Sequence, residues 1–235
     1  MPTPANPRPI VIAALPREVS AIVKGWRHHS PAPNIHVFED ETAIIAHAGM
    51  GANRARLAVE AALGLGPASE LISVGFAGSC HPSANVGDIL QPTIVIDTKT
   101  GERFFTAAPE SAEPKILVTV PIPAGVEQKQ YLGESYSAQA VDMEAAALAR
   151  IARARDLPFT AIKAISDACD FELPDMSRFT TPTGQLRESA FALHLVTHPN
   201  LWKSVATLAK GSTLAANHLR QAIEAKIAAK IHQRI

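Results

Sequence analysis

Cysteine is scarce: Cys80 and Cys169 are the only two in a chain of 235 residues. Two thiols so far apart read neither as a disulfide framework nor as a zinc site, and reduced thiols of a cytosolic protein are expected. An excess of charge of one sign is also missing. Lys+Arg and Asp+Glu both number 22, so the net charge is zero and nothing asks for nucleic acid as a partner. No stretch reaches the roughly 18 apolar residues of a membrane span. Met1–Pro9 is polar and proline-rich, and Ile10–Leu15 is too short for the apolar stretch of a secretory signal, so a cytoplasmic location is expected. Internal repeats, linkers and low-complexity tracts are absent. One domain over residues 1–235 is the simplest reading, with a core over about 9–180 and a helical extension over about 181–235. What is present suits a large core: 47% hydrophobic residues against 19% charged argues against disorder.

Short β-branched runs alternate with alanine-rich ones. Pro9–Ala14, Ile35–Phe38, Thr42–Ala48, Leu71–Gly75, Ile116–Val120 and Phe159–Ile165 read as strands, and Val86–Ile96 contains strand-like sequence. Helices are expected over Arg17–Trp26, Ala52–Leu63, Asp142–Arg155, Gln185–Val196, Leu201–Leu208 and Ser212–His232, and small-residue or polar loops over Phe76–Cys80 and Thr106–Pro114. Strands alternating with helices predict an α/β fold. Its form would be three α/β/α layers around a mixed, mostly parallel twisted sheet, with a helical C-terminal tail.

Several motifs carry little chemistry. Gly49-Met50-Gly51 lies between a strand and a helix, but the dinucleotide fingerprint needs a small residue where Arg54 stands, so a tight turn is expected and an NAD-linked enzyme is disfavoured. His194 and His198 have zinc-pair spacing without an adjacent glutamate, and read as surface or packing residues. No metal and no cofactor is implied. Two other segments are more informative. In Val141-Asp142-Met143-Glu144, Asp142 reads as a helix cap. Glu144 lies about 200° further round the helix, just before an alanine run, where a half-buried carboxylate needs donors. In Ala164-Ile165-Ser166-Asp167, Asp167 ends a strand, where ligand sites of open α/β sheets lie. Spacing alone leaves a structural and a functional reading open for both. It does the same for Glu18, a first-turn acid after the first strand.

The order of these segments resembles the purine nucleoside phosphorylase/nucleosidase superfamily, in particular its methylthioadenosine/S-adenosylhomocysteine nucleosidase branch. The resemblance runs through Ala13-Ala14, Glu18-Val19, Gly49-Met50-Gly51, Ser73 to Gly78, Asn85 to Ile89, Val141 to Ala147 and Ala164 to Asp167. It implies an enzyme that splits an N-glycosidic bond and releases adenine from a 5′-substituted adenosine. Asp167 would protonate or hydrogen-bond purine N7, and Glu18 would activate the attacking water. Glu144 would bind the ribose hydroxyls and Met143 would pack on the sugar. Phe76, Ala77, Gly78, Val120, Ser166 and Arg17 would complete the substrate contacts. Two departures stand out. Phe76 replaces a serine of the nucleosidases, and Val118–Gln130 replaces their Ser-Gly-Asp-Xaa-Phe segment, so the base pocket must be rebuilt. Water and phosphate both remain open as co-substrate, since Arg17 is a candidate anion contact, and a non-catalytic nucleoside-binding member is the rival reading.

The region Thr119-Val120-Pro121, the Asp-Met-Glu form and the tail residues Phe191, His194, Pro199, Trp202, Gly211-Ser212 and Ala215-Ala216 are similar to hopanoid-associated members of the superfamily. That likeness implies a lipid-linked nucleoside, adenosylhopane, as substrate. Leu219, Ile223, Ile227 and Ile231 recur every four residues beside Arg220, Lys226 and Lys230. Such a helix suits either packing on its own domain or docking on an anionic membrane surface, peripheral to the inner membrane. Family precedent and the neutral charge together lead to the expectation of a homodimer or higher oligomer.

Overall fold

The computed structural model describes residues 6–107, 113–172 and 202–232. Strand β1 (Arg8–Ala13) lies between β4 (Ile44–His47) and β5 (Ala68–Ser79), parallel to both, with Ile10 opposite Ile44 on one side and Leu71 on the other. Nearly every residue of β1 and β4 is buried, which is what a sheet covered on both faces requires. The period of two then assigns the layers. Ile10 and Ile12 face helices α1 (Ala52–Leu63) and α3 (Ala145–Ala154), while Val11 and Ala13 join Ile72, Val74 and Ile162 on the opposite face.

Strand β11 (Phe159–Asp167) runs parallel to β5 from Phe159 opposite Leu71 to Asp167 opposite Gly78. A second group of strands extends the sheet beyond the end of β5: β10 (Ala140–Asp142), β9 (Ile116–Thr119), β7 (Ile94–Asp97) and β8 (Arg103–Phe105). The short β6 (Ile89–Leu90) pairs with β11. At the other edge, β2 (Arg27–Ala32) and β3 (Ile35–Glu39) form a hairpin against β4. The sheet is mixed. Parallel pairs join β1 to β4 and β5, β5 to β11, and β9 to β7 and β10, and antiparallel hairpins close the two edges. Helix α2 (Val126–Tyr136) covers a smaller apolar cluster that includes Ile96, Val118 and Leu132.

Several expectations need correction. Arg17–Trp26 is not a helix. Pro16–Glu18 forms a single 3-10 turn, followed by isolated turns. The helix-like spacing came from Val19 and Val23, both buried, across the bond from the Val23 N–H to the Val19 carbonyl. Phe76–Cys80 is not a loop, because β5 continues to Ser79, held by β11 and β10. The helix expected from Asp142 begins at Ala145 instead. Asp142 ends β10, and its Oδ2 accepts the Ala145 N–H at 2.9 Å. Of the expected stripe Met143, Ala146, Ala147 and Ile151, only Ala146 is fully buried; Ala145, Leu148, Ala149 and Ala152 make up the rest of the packed face.

The expected helices over Leu201–Leu208 and Ser212–His232 are one, α4 (Trp202–His232), unbroken at Gly211. A Cβ on Gly211 would stand 2.6 Å from the Ser166 carbonyl oxygen, so glycine is what lets α4 lie against the end of β11. Leu219, Ile223 and Ile227 are buried against the sheet. Of the stripe that suited either packing or a membrane surface, these three residues are used internally. At the sheet, Lys226 reaches the buried Glu70 at 2.9 Å, and the Thr160 hydroxyl bonds the same carboxylate. Among the described residues no helix is long and apolar enough to cross a membrane. The expected helix Gln185–Val196, the pair His194 and His198, and Phe191 and Pro199 lie outside the described residues.

Candidate functional site

Strands β1, β5, β10 and β11 end around one cavity of about 150 Å³. All ten residues singled out from the sequence line it. Glu18 and Asp167, expected to do chemistry, are there with Arg17, Phe76, Ala77, Gly78, Val120, Met143, Glu144 and Ser166. They come from five separate segments, brought together because the parallel strands β1, β5 and β11 deliver their carboxyl ends to the same side of the sheet, where β10 meets the end of β5 antiparallel.

Glu18 is placed by the 3-10 turn. Its Oε2 accepts the N–H groups of Ala14 and Leu15, each at 2.9 Å, and its Oε1 accepts that of Phe76 at 3.2 Å. Burial nevertheless pushes its carboxyl above the ordinary value, against the pull of Leu15 N–H and the nearby Lys163 ammonium. Gly75 makes the room: its φ is +142°, and a Cβ there would stand 3.0 Å from Glu18 Oε1.

Asp142 and Glu144 have separate environments. Asp142 accepts the Thr119 hydroxyl at 2.6 Å and pairs with the buried Lys163 at 2.9 Å. With the Ala145 N–H also bound, it is a fully engaged anchor. Lys163 donates in addition to Ser73 Oγ at 3.0 Å. Glu144 accepts one N–H, from Gly51 at 2.6 Å. The Gly49-Met50-Gly51 turn, with φ of +112° and +91° at its glycines, thus directs that N–H to a carboxylate. Burial, with Asp142 close by, raises Glu144 to about 7. A carboxyl titrating near neutrality with an open acceptor oxygen suits hydroxyl donors from a ligand.

Asp167 ends β11. Its Oδ1 accepts the Ser166 hydroxyl at 2.5 Å and its Oδ2 pairs at 2.5 Å with Lys129, which is fully buried. Lys129 comes from α2 and donates also to the carbonyls of Ala168 and Phe171, at 3.0 and 3.1 Å. Gly78 leaves the space, since a Cβ there would lie 2.9 Å from Asp167 Oδ2 and 3.1 Å from Lys129 Cε. At the mouth, the Arg17 guanidinium lies 5.1 Å from the centre of the Phe76 ring, a cation–π contact.

Sequence reasoning missed Lys129, Lys163 and Ser212. Lys163 had a readable signal: a lysine inside the apolar run Phe159–Ile165 demands a buried acid. Lys129 had none, because α2 shows no apolar stripe. Ser212 of α4 lines the cavity, and among the described residues its buried Oγ has no hydrogen-bond partner. Among those residues no cluster of metal-ligating side chains occurs.

No curated protein sequence matches. The fold is shared with futalosine hydrolase of Helicobacter pylori, at 15% identity and a TM-score of 0.63 over 93% of this chain and 97% of that one. It is shared also with a 5′-methylthioadenosine/S-adenosylhomocysteine nucleosidase of Neisseria meningitidis, solved with methylthio-immucillin-A. There the identity is 17% and the TM-score 0.66, over 96% and 98% of the two chains. A nucleosidase from Chlamydia trachomatis bound to MTA aligns at 20% identity and a TM-score of 0.60, over 95% and 98%. The family model described as the phosphorylase superfamily matches residues 9–124 and 120–197. With that match over most of its length, the chain belongs to the phosphorylase superfamily.

Proposed function

We propose that the protein hydrolyses the N-glycosidic bond of an adenosine-type nucleoside and releases adenine. One observation carries this reading: Glu18, Glu144 and Asp167 share a cavity of about 150 Å³ whose buried cations are already engaged. Departure of a purine leaves positive charge on the sugar, and carboxylates fixed beside it stabilise that charge as it develops. Glu144 accepts the ribose hydroxyls and Met143 packs on the sugar. Asp167 meets purine N7 across a pocket walled by Phe76 and Val120. Glu18 takes the proton of the attacking water, and its raised proton affinity suits a general base working near neutral pH. Water oxygen bonds C1′, and the C1′–N9 electron pair passes to the base.

The same charges argue for water over phosphate. An anion entering the cavity meets Glu18, Asp142, Glu144 and Asp167, while Lys129 and Lys163 are bound to acids and neutral acceptors. Among the described residues that line the cavity, the one other cation is Arg17, which lies over an aromatic ring.

For the substrate, the neighbouring groove supports a large 5′ substituent. It holds about 730 Å³, shares Met50, Val120, Pro123 and Met143 with the cavity, and runs on over Ile122, Ala146 and Ala147. A groove of this size, with this apolar stretch beside Arg54, Asp97, Lys99 and Arg150, has room for a lipid-linked nucleoside such as adenosylhopane. The test is adenine release from 5′-alkyl adenosines of increasing chain length in phosphate-free buffer. Release is expected without phosphate, with kcat/KM rising with chain length. A strict phosphate requirement sinks the hydrolase reading, and tight binding without release makes the protein a nucleoside-binding member. A flat response to chain length removes the lipid substrate.

A further inference from the structure

Lys129 has so far no part in the chemistry beyond engaging Asp167. It is fully buried, yet it comes from a helix whose other inward residue is Leu132. A buried ammonium is costly unless its hydrogens are all bound, and here each has an acceptor: Asp167 Oδ2, the Ala168 carbonyl and the Phe171 carbonyl. Two of these bonds fix the chain just after β11, and the third holds the carboxylate that faces the cavity. Gly78 is bare where a side chain would separate the two charges. A lysine needed only to fill space would not require the strand beside it to lack a Cβ.

The chemistry gives this contact a consequence. A carboxylate already paired with an ammonium has no proton of its own to give to a departing purine. The ammonium beside it has one, and the 2.5 Å contact between Lys129 Nζ and Asp167 Oδ2 gives that proton a route through the carboxylate. We propose that Lys129 is a positioning residue that acts through Asp167: the Lys129–Asp167 pair, as a unit, is the acid that protonates the leaving base. This rests on the hydrolase reading above. As C1′–N9 breaks and its electron pair enters the purine, N7 gains a proton from Asp167, which takes one from Lys129. One Lys129 N–H is lost and one N7–H is formed. Asp167 ends as the carboxylate it was, Lys129 as a neutral amine, and adenine leaves neutral. The proton that Glu18 takes from water replaces the one Lys129 gave, by way of solvent after release.

A cycle of Lys129→Met, Asp167→Asn and the double variant tests this, with adenine release from a 5′-alkyl adenosine as readout and thermal melting as the check on folding. The double variant leaves no unpaired buried charge, so it remains interpretable if Lys129→Met fails to fold. Each folded single variant is expected to lose about 10²–10⁴-fold in kcat/KM. The double variant should lose no more than Asp167→Asn, because parts of one unit are not additive. The alkaline limb of the kcat/KM profile should move at least one pH unit lower in Lys129→Met. If Lys129→Met does not fold, non-additivity is judged from the double against Asp167→Asn alone. Losses that multiply, a double variant markedly slower than Asp167→Asn, or a limb that stays in place overturn the proposal. Absence of adenine release by the unmutated protein is read first, and it sinks the hydrolase reading together with this one.

Discussion

Two glycines and one glutamate carry testable physics at the level of single residues. Gly75 and Gly78 sit three apart in β5, and each leaves room for a carboxylate, Glu18 and Asp167 respectively. They differ in backbone: only Gly75 has a positive φ. Gly75→Ala should therefore cost stability as well as activity, by about 1 kcal/mol or more. Gly78→Ala places a methyl 2.9 Å from Asp167 Oδ2 without backbone strain. A folded protein with kcat down more than tenfold is expected, read from melting and turnover on the same sample. Glu144 makes a prediction with a definite sign. Its carboxyl is raised from 4.5 to about 7, chiefly by burial. Between those values the unfolded chain has lost the proton and the folded chain keeps it. Stability therefore falls as pH rises through this window, by about 1.4 kcal/mol per unit, and levels off above it. Glu144→Gln has no proton to lose. It should melt close to the unmutated protein at pH 5 and higher than it at pH 8. A gap that is the same at both pH values would rule out this titration.

Among the elements, legibility follows where the apolar residues fall. Helix α3 could be read because Ala145–Ala154 is alanine-rich with a buried face. Helix α2 could not, since its inward residues are Lys129 and Leu132, and a single apolar residue has no period. Strand β2 was hidden for the opposite reason: Arg27–Ala32 is an exposed edge strand carrying Pro31, and edge strands shed the alternation that marks buried ones. The site residues at element ends, Glu144 and Asp167, stood out because acids there break an apolar pattern. The lysines that hold such acids carry no matching signal unless they interrupt a strand, as Lys163 does. Helix α4 shows how one stripe supports two readings, and its stability separates them. Leu219 is fully buried on the sheet, so Leu219→Ala should cost about 2–5 kcal/mol in urea unfolding. An apolar residue reserved for a membrane surface would cost almost nothing. Because Leu208 and Ser212 of the same helix line the cavity, loosening α4 should also raise KM.

For the whole molecule, an even balance of charge conceals an uneven distribution. Lys+Arg and Asp+Glu are equal in number, but the cations form a surface network, such as Arg150 and Arg153 with Asp97 and Glu102, while acids gather where the strands end. The sheet does this: β1, β5, β10 and β11 each deliver an acid, or a residue next to one, to the same cavity. The two buried lysines each neutralise one of them and leave Glu18 and Glu144 to face a ligand. The interior field therefore favours a group that becomes positive and disfavours an anion. Ligand linkage reads this directly, since a molecule that binds only the folded state raises the melting temperature according to its concentration over Kd. Adenine at 100 times its Kd should add about 2.7 kcal/mol, visible as a rise of several degrees. Inorganic phosphate at tens of millimolar, with ionic strength matched by chloride, should add nothing. A phosphate-dependent rise that Arg17→Ala abolishes would place an anion at the mouth of the site and turn the mechanism from hydrolysis to phosphorolysis. If the rise survives that variant, phosphate binds elsewhere, and the acid-lined cavity keeps water as its nucleophile.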